Sequence, residues 1–310
     1  MSEIRRIKTD EIDAGLTLLF RGVSRGGSGT EIDEGAFRAL ARRERYDLSR
    51  QIVISQNGKL LFSCFFVPNA GGTAFIFIST PAHLNDADTN AAVDALGRLR
   101  QWAADEGCNL FQVLLEVDDA ARQEICLRSG FRFLTDLIYM YRLTEDGFVR
   151  PDGEGVSWQE YSRQNHDLFK KVIAQTYVGS SDCPELEGLR DMEETITAHK
   201  AAGHFDGKYW QLVFDGNEPV GVFLLSRISS GDALELTYMG LVPSRRGCGF
   251  SKVLLGGALE CAANEKARIV TLAVDSRNNA ARGLYEQYGF KEIFQRRVMY
   301  NSTRWKDAIG

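Results

Sequence analysis

The stretch Leu241-Val242-Pro243-Ser244-Arg245-Arg246-Gly247-Cys248-Gly249-Phe250-Ser251 decides the reading of this chain. Before it, Ala233 to Leu241 (ALELTYMGL) reads as a strand. After it, Val253, Leu254, Leu255, Ala258, Leu259 and Ala262 recur at helical spacing, so the glycines fall at a strand-to-helix turn. The first N–H groups of a helix lack intrahelical partners and carry the positive end of its dipole, which makes such a turn an anion site. Gly247 and Gly249 take positive φ cheaply and let a ligand approach the backbone, while Arg245 and Arg246 supply charge. The stretch suits a pyrophosphate.

Two other glycine-rich phosphate loops do not fit. A Walker A loop ends Gly-Lys-Ser/Thr, whereas here Lys252 follows Ser251. A dinucleotide fingerprint needs a third glycine where this chain has Lys252. The pattern that fits is Val-x-Pro-x-x-Arg-Gly-x-Gly-x-Gly/Ala, the acyl-CoA loop of the GNAT superfamily of N-acetyltransferases, which residues 241–251 resemble, with the compact Ser251 in the last place. Further on, Asn278-Asn279-Ala280-Ala281-Arg282-Gly283-Leu284-Tyr285-Glu286-Gln287-Tyr288-Gly289-Phe290 is similar to the superfamily's Asn-x-x-Ala-x-x-Leu-Tyr-x-x-x-Gly-Phe. A strand from Ile269 to Val274 lies between them, and the two motifs in this order are far more specific than either alone.

Outside these motifs, 310 residues suggest about two domains, and 44% hydrophobic with 25% charged residues is an ordinary soluble composition. No apolar run reaches the roughly 20 residues that cross a bilayer, and the first residues (MSEIRRIKTDEIDAG) are charged, so a cytoplasmic protein without a membrane partner is expected. A net charge of −5 with no basic stripe argues against nucleic acid. The scattered Cys64, Cys108, Cys126, Cys183, Cys248 and Cys261 form no Cys-x-x-Cys pair, and His83, His166, His199 and His204 show no ligand spacing. Neither disulfides nor a metal are expected.

An offset of 159 residues aligns Gly289-Phe290 with Gly130-Phe131, Met299-Tyr300 with Met140-Tyr141, and Ala280 with Ala121. The chain therefore reads as two domains, residues 1–145 and 156–310, joined by a polar linker at 146–155. In the first copy Ala87, Asp88 and Asn90 stand opposite Arg246, Gly247 and Gly249, and Cys126 opposite Tyr285. Asp86 and Asp88 would stabilise a helix N-terminus and repel a pyrophosphate there, so the first copy reads as degenerate. Tandem GNAT proteins with one degenerate half, mycothiol synthase among them, are similar in layout.

The resemblance implies an α/β (α+β) architecture of two GNAT-like domains, each a mixed, mostly antiparallel sheet flanked by helices. It implies acetyl-CoA as cosubstrate, held by Leu241, Val242, Arg245, Arg246, Gly247, Cys248, Gly249, Phe250, Ser251 and Asn278. Asn278 also reads as a helix N-cap. A backbone N–H near Leu241 would polarise the thioester carbonyl, and a primary amine would attack directly in a ternary complex. Glu235, six residues before Leu241, matches the glutamate that acts as base in the histone-acetyltransferase branch, or else pairs with a neighbouring cation. Tyr285 would protonate the departing thiolate. Thr176 to Arg190, with Asp182, Glu185 and Glu187, would border a pocket for a small-molecule or peptide amine, or be acidic only for solvation. Cys248 presents backbone rather than thiol to a ligand, whereas a nucleophilic Cys183 stays open. The rival to an enzyme is a protein that binds acyl-CoA as a sensor or scaffold. The sequence leaves the oligomeric state open.

Overall fold

The strands form where β-branched and aromatic residues concentrate, and the longer helices where apolar residues return every three or four positions. The computed structural model describes residues 2–21, 34–83, 85–147, 155–228 and 232–306. In chain order the elements begin with β1 (Glu3–Arg6), α1 (Ile12–Phe20), α2 (Glu34–Glu44), β2 (Gln51–Gln56), β3 (Lys59–Asn69), β4 (Thr73–Ile78), α3 (Asp86–Asp105), β5 (Leu110–Leu115) and α4 (Ala120–Arg128). They continue with β6 (Arg132–Leu143), β7 (Val156–Glu160), α5 (His166–Tyr177), α6 (Met192–Ala201), β8 (Trp210–Asp215) and β9 (Glu218–Arg227). The last are β10 (Ala233–Leu241), α7 (Phe250–Asn264), β11 (Ile269–Asp275), α8 (Asn279–Gln287) and β12 (Lys291–Ser302).

The sequence repeat predicts that each half keeps its own last strand. The two compact units are instead Met1–Leu134 with Arg296–Gly310, and Thr135–Gln295. The reason lies in the strand pairing: β12 runs antiparallel to β5, from Arg297↔Leu115 to Ser302↔Leu110, and β6 runs antiparallel to β11, from Leu137↔Asp275 to Leu143↔Ile269. Each unit therefore completes its sheet with the final strand of the other sequence half. Residues 148–154 of the expected linker lie outside the described residues.

Within each unit the sheet has one plan. In the first, β1, β2, β3 and β4 are successive antiparallel neighbours, β4 pairs in parallel with β5, and β12 closes the edge. In the second, β7, β8, β9 and β10 repeat the antiparallel run, β10 pairs in parallel with β11, and β6 closes the edge. The first unit buries Phe62, Phe66, Ile76 and Phe111 against Leu96, Leu99 and Ala103 of α3.

In the second unit, consecutive residues of β10 point to opposite faces of the sheet. A Cβ on Gly240 would meet Thr176 of α5, and one on Gly221, the partner of Leu241, would meet Leu254 of α7. Helix α5 thus covers one face through Phe169, Val172 and Ile173, and α7 the other through Leu254, Leu255, Ala258 and Leu259. Cutting Leu254 to Ala in this close-packed layer costs about 2–5 kcal/mol.

Candidate active site

The parallel pairing of β10 with β11 runs only from Ala233↔Ile269 to Leu236↔Leu272. A bulge on β10 between Leu236 and Tyr238 shifts its register against β9, and Thr237 fills the interrupted ladder by donating its hydroxyl to the Leu224 carbonyl at 3.1 Å. Beyond Leu236 the two strands diverge, and the β10 backbone groups that face β11 have no ladder partner. A cavity of about 290 Å³ opens in this fork, and Leu241, Gly247, Ser251, Asn278 and Tyr285 line it together with Asp182 and Tyr238.

At one end of the cavity stands the glycine turn. Gly247 (φ 74°) and Gly249 (φ 85°) are both left-handed, and Gly249 is the N-cap of α7 with no side chain capping the helix. A Cβ at either glycine would meet nothing within 4 Å, so glycine is needed for its backbone angle rather than for space. The first turn of α7 is therefore left without a side-chain cap, at the place where the sequence leads one to expect an anion.

Both arginines have partners within the fold, and Arg246 also lines the cavity. Arg245 pairs with Asp215 at 2.9 Å. Arg246 donates to three carbonyls: Nε to Leu241 at 3.2 Å, Nη1 to Gly179 at 2.8 Å and Nη2 to Thr176 at 2.9 Å. Arg246 is thus a staple across the C-terminal end of α5, where a cation meets the negative end of the helix dipole. Cys248 is exposed, with its thiol turned to the Arg246 carbonyl. The Arg245 guanidinium lies over the Phe250 ring.

Tyr285 is buried on α8 and lines the cavity, and burial raises its phenol pKa well above the ordinary tyrosine range, so it stays protonated. Asn278 caps α8 by accepting the Ala281 N–H at 3.2 Å and also lines the cavity. Glu235 lies where β10 is still paired, between Ser226 and Thr271, and is not among the residues that line the cavity. It forms no ion pair or side-chain hydrogen bond with another described residue, and burial raises its carboxyl pKa above 4.5.

Of the acidic residues between α5 and α6, only Asp182 lines the cavity. Its Oδ1 accepts the Asp275 N–H at 3.1 Å, and burial raises its pKa. Glu185 is taken up by Arg277 at 2.6 Å, and Glu187 is exposed. Burial works against charge on Asp275, but hydrogen bonds from Arg277, Thr135 and the Cys183 N–H outweigh it and hold the carboxyl below its ordinary value. Asp182, Cys183 and Asp275 bring ligand-type atoms within 4.8 Å of one another, yet those bonds already engage both Asp275 oxygens. Burial also pushes the Cys183 thiol far up, which removes the thiolate that a nucleophile requires.

Three aromatic groups here escape sequence reasoning. The Tyr238 hydroxyl lies 2.8 Å from Thr176 Oγ1, its ring stacks on Tyr177 at 5.0 Å, and the Tyr177 hydroxyl meets His199 Nε2 at 3.3 Å. Burial, followed by the nearby Arg190 cation, lowers the His199 pKa to about 4. The bulge turns Tyr238 to the α5 face, against simple alternation along the strand.

The matching place in the first unit differs. At the start of α3 there is a void of only about 10 Å³, lined by Ile54, Phe62, Pro81, Asp88 and Ala91, and α3 is capped by Asn85, which accepts the Asp88 N–H at 2.9 Å. Asp86 and Asp88 occupy the first turn of that helix.

Residues 173–290 match the model of the acetyltransferase (GNAT) family. That stretch of the second unit, from α5 to the turn after α8, is similar to an acetyltransferase domain of that family. Its fold is similar to a GCN5-related N-acetyltransferase from Sphaerobacter thermophilus, at 15% identity and TM-score 0.66 over 97% of this chain and 95% of that one. It is also similar to a tandem GNAT protein from the clavulanic acid biosynthesis pathway, at 12% identity and TM-score 0.55 over 97% of this chain and 98% of that one. A third likeness is to a GCN5-related N-acetyltransferase from Kribbella flavida, at 14% identity and TM-score 0.52 over 97% of this chain and 71% of that one. At such identities the likeness concerns the fold. No curated protein matches the chain.

Proposed function

We propose that the unit of residues 135–295 transfers acetyl from acetyl-CoA to a primary amine by direct attack in a ternary complex, and that the first unit takes no part in the chemistry. One observation carries this reading. The fork between β10 and β11, the uncapped turn at Gly247 and Gly249, and the protonated Tyr285 all face one cavity.

The diphosphate is assigned to the backbone of residues 247–251, with the pantetheine arm in the fork beside Leu241, Val242 and Asn278. Freed backbone N–H groups of β10 near Leu241 polarise the thioester carbonyl. The amine nitrogen forms its bond to the carbonyl carbon, the C–S bond breaks, and the thiolate takes the Tyr285 proton. An ammonium of pKa about 10.4 must lose one proton before attack, and the nitrogen loses a second after it. Glu235, as the base, receives one through water, because it stands behind the cavity wall. The other restores Tyr285. A cytoplasmic site fits the six free cysteines.

The test is thiol release from acetyl-CoA in the presence of a panel of primary amines. The reading predicts amine-dependent release that Tyr285→Phe slows. Binding of acetyl-CoA without faster release for any amine, or release indifferent to Tyr285→Phe, would count against it.

A further inference from the structure

Two side chains on the cavity wall keep hydrogen-bond acceptors that the fold leaves unfilled. One is Asp182: its Oδ1 accepts the Asp275 N–H at 3.1 Å, and among the described residues no group donates to its Oδ2. The other is Tyr238, whose hydroxyl lies 2.8 Å from Thr176 Oγ1, which in turn lies 2.7 Å from the Ile173 carbonyl. A threonine hydroxyl carries one proton and a carbonyl can only accept, so Thr176 donates to Ile173 and Tyr238 donates to Thr176. The Tyr238 oxygen therefore has only lone pairs left to offer the cavity.

The fold builds both acceptors in. A Cβ on Gly240 would lie 2.7 Å from the Tyr238 oxygen and 2.7 Å from Thr176 Cβ, so glycine at this place on β10 lets the phenol and the α5 hydroxyl meet. Tyr177 stacks on the Tyr238 ring at 5.0 Å, and Arg246 holds the Thr176 carbonyl at 2.9 Å. At Asp182, the Asp275 N–H fixes one carboxylate oxygen, and the Asp182 N–H donates to Ser180 Oγ at 3.1 Å. Both acceptors thus face the same cavity as the fork and Tyr285, and both are held by the protein itself.

An ammonium brings three N–H donors and a neutral primary amine two, whereas a neutral N-methyl amine keeps one. We propose that Asp182 and Tyr238 seat the acceptor nitrogen by taking one hydrogen each, and that this pair selects primary amines over their N-methyl counterparts. Once the ammonium has lost its first proton, two N–H groups donate to Asp182 Oδ2 and Tyr238 Oη, and the lone pair is the direction left for the thioester carbonyl. A secondary amine leaves one of the two acceptors unpaired, and a site built to bond an N–H discriminates against the analogue that lacks it. The proposal rests on the acetyltransferase reading above and assigns the residues of its acceptor end.

The experiment measures thiol release from saturating acetyl-CoA with 2-phenylethylamine, ethanolamine and the side chain of a blocked lysine, each beside its N-methyl counterpart. The expected result is a kcat/KM preference of about tenfold or more for the primary member of a pair, the scale of one hydrogen bond to a charged group. Tyr238→Phe should lower kcat/KM several-fold for the primary amine and leave the N-methyl amine nearly unchanged, so that the ratio falls toward one. Mere crowding of the methyl group would give the opposite signature, a faster N-methyl amine and an unmoved primary one. Asp182→Asn, which keeps an oxygen for the Asp275 N–H but turns an NH2 group to the amine, should raise KM about tenfold. Acetyl-CoA titration within about twofold of the parent shows that both variants fold. Equal use of the two kinds of amine, a preference that survives Tyr238→Phe, or a KM that Asp182→Asn leaves unmoved would overturn the proposal. If no amine of either kind speeds thiol release, the acetyltransferase reading falls and carries this one with it.

Discussion

Tyr285 and Glu235 both have raised pKa values through burial, with opposite consequences. For an acid the shift is useful, since Tyr285 keeps its proton throughout the neutral range. Tyr285→Phe should lower kcat by about 10²-fold, the lower end for general acids, and leave acetyl-CoA affinity within about twofold. For a base it sets a lower pH limit, so kcat/KM should decline below an inflection above 4.5, and Glu235→Gln should remove that inflection. Stability gives an independent reading of the same carboxyl. A raised folded pKa means that the fold binds this proton more tightly than the unfolded chain does, so its contribution is present at low pH and is lost as pH rises through the folded value. Glu235→Gln should therefore raise Tm at pH 7 relative to the parent and change it little at pH 4, as calorimetry at the two pH values would show. At this scale the positive φ of Gly247 and Gly249 and the placing of Asn278 and Tyr285 on one cavity were legible in the sequence, because backbone type and motif position set them. The side chains of Arg245 and Arg246 were not, because their partners Asp215, Thr176 and Gly179 are distant in sequence.

Two elements, the fork and the α5 staple, shape the cavity. Lysine at position 246 cannot span three carbonyls, so Arg246→Lys should lower Tm and weaken acetyl-CoA binding several-fold by loosening the cavity wall at Thr176 and Gly179. Acid should loosen the same wall. The folded pKa of His199 is lowered, so its contribution to stability is present above the unfolded value of 6.5 and is lost as pH falls toward about 4. His199→Gln should flatten the decline of Tm between those two pH values. The strand before the glycine turn and the helix after it were legible from apolar spacing. The bulge between Leu236 and Tyr238 was not, since ALELTYMGL reads as an uninterrupted strand and only the register against β9 shows the shift. That shift turns Tyr238 toward α5 and is followed at once by the end of the β10 and β11 pairing.

Across the whole molecule, the repeat at an offset of 159 residues told the sheet plan twice over but not where each last strand goes. Both copies end in Gly-Phe followed by Met-Tyr, and nothing in that ending separates a strand that returns to its own half from one that is exchanged. The pairing decides it, and with a consequence for truncation. A chain of residues 135–295 contains every strand of the second sheet and should fold. One of residues 156–310 lacks β6, leaves the edge of β11 open and should aggregate, as gel filtration of the two would show. The central claim, that the turn at Gly247 and Gly249 alone holds the donor, is tested most directly by calorimetric titration of acetyl-CoA into the full chain and its Gly249→Asp variant. The account predicts one equivalent bound by the parent and none by the variant; two equivalents, none at all, or binding that survives in the variant would contradict it.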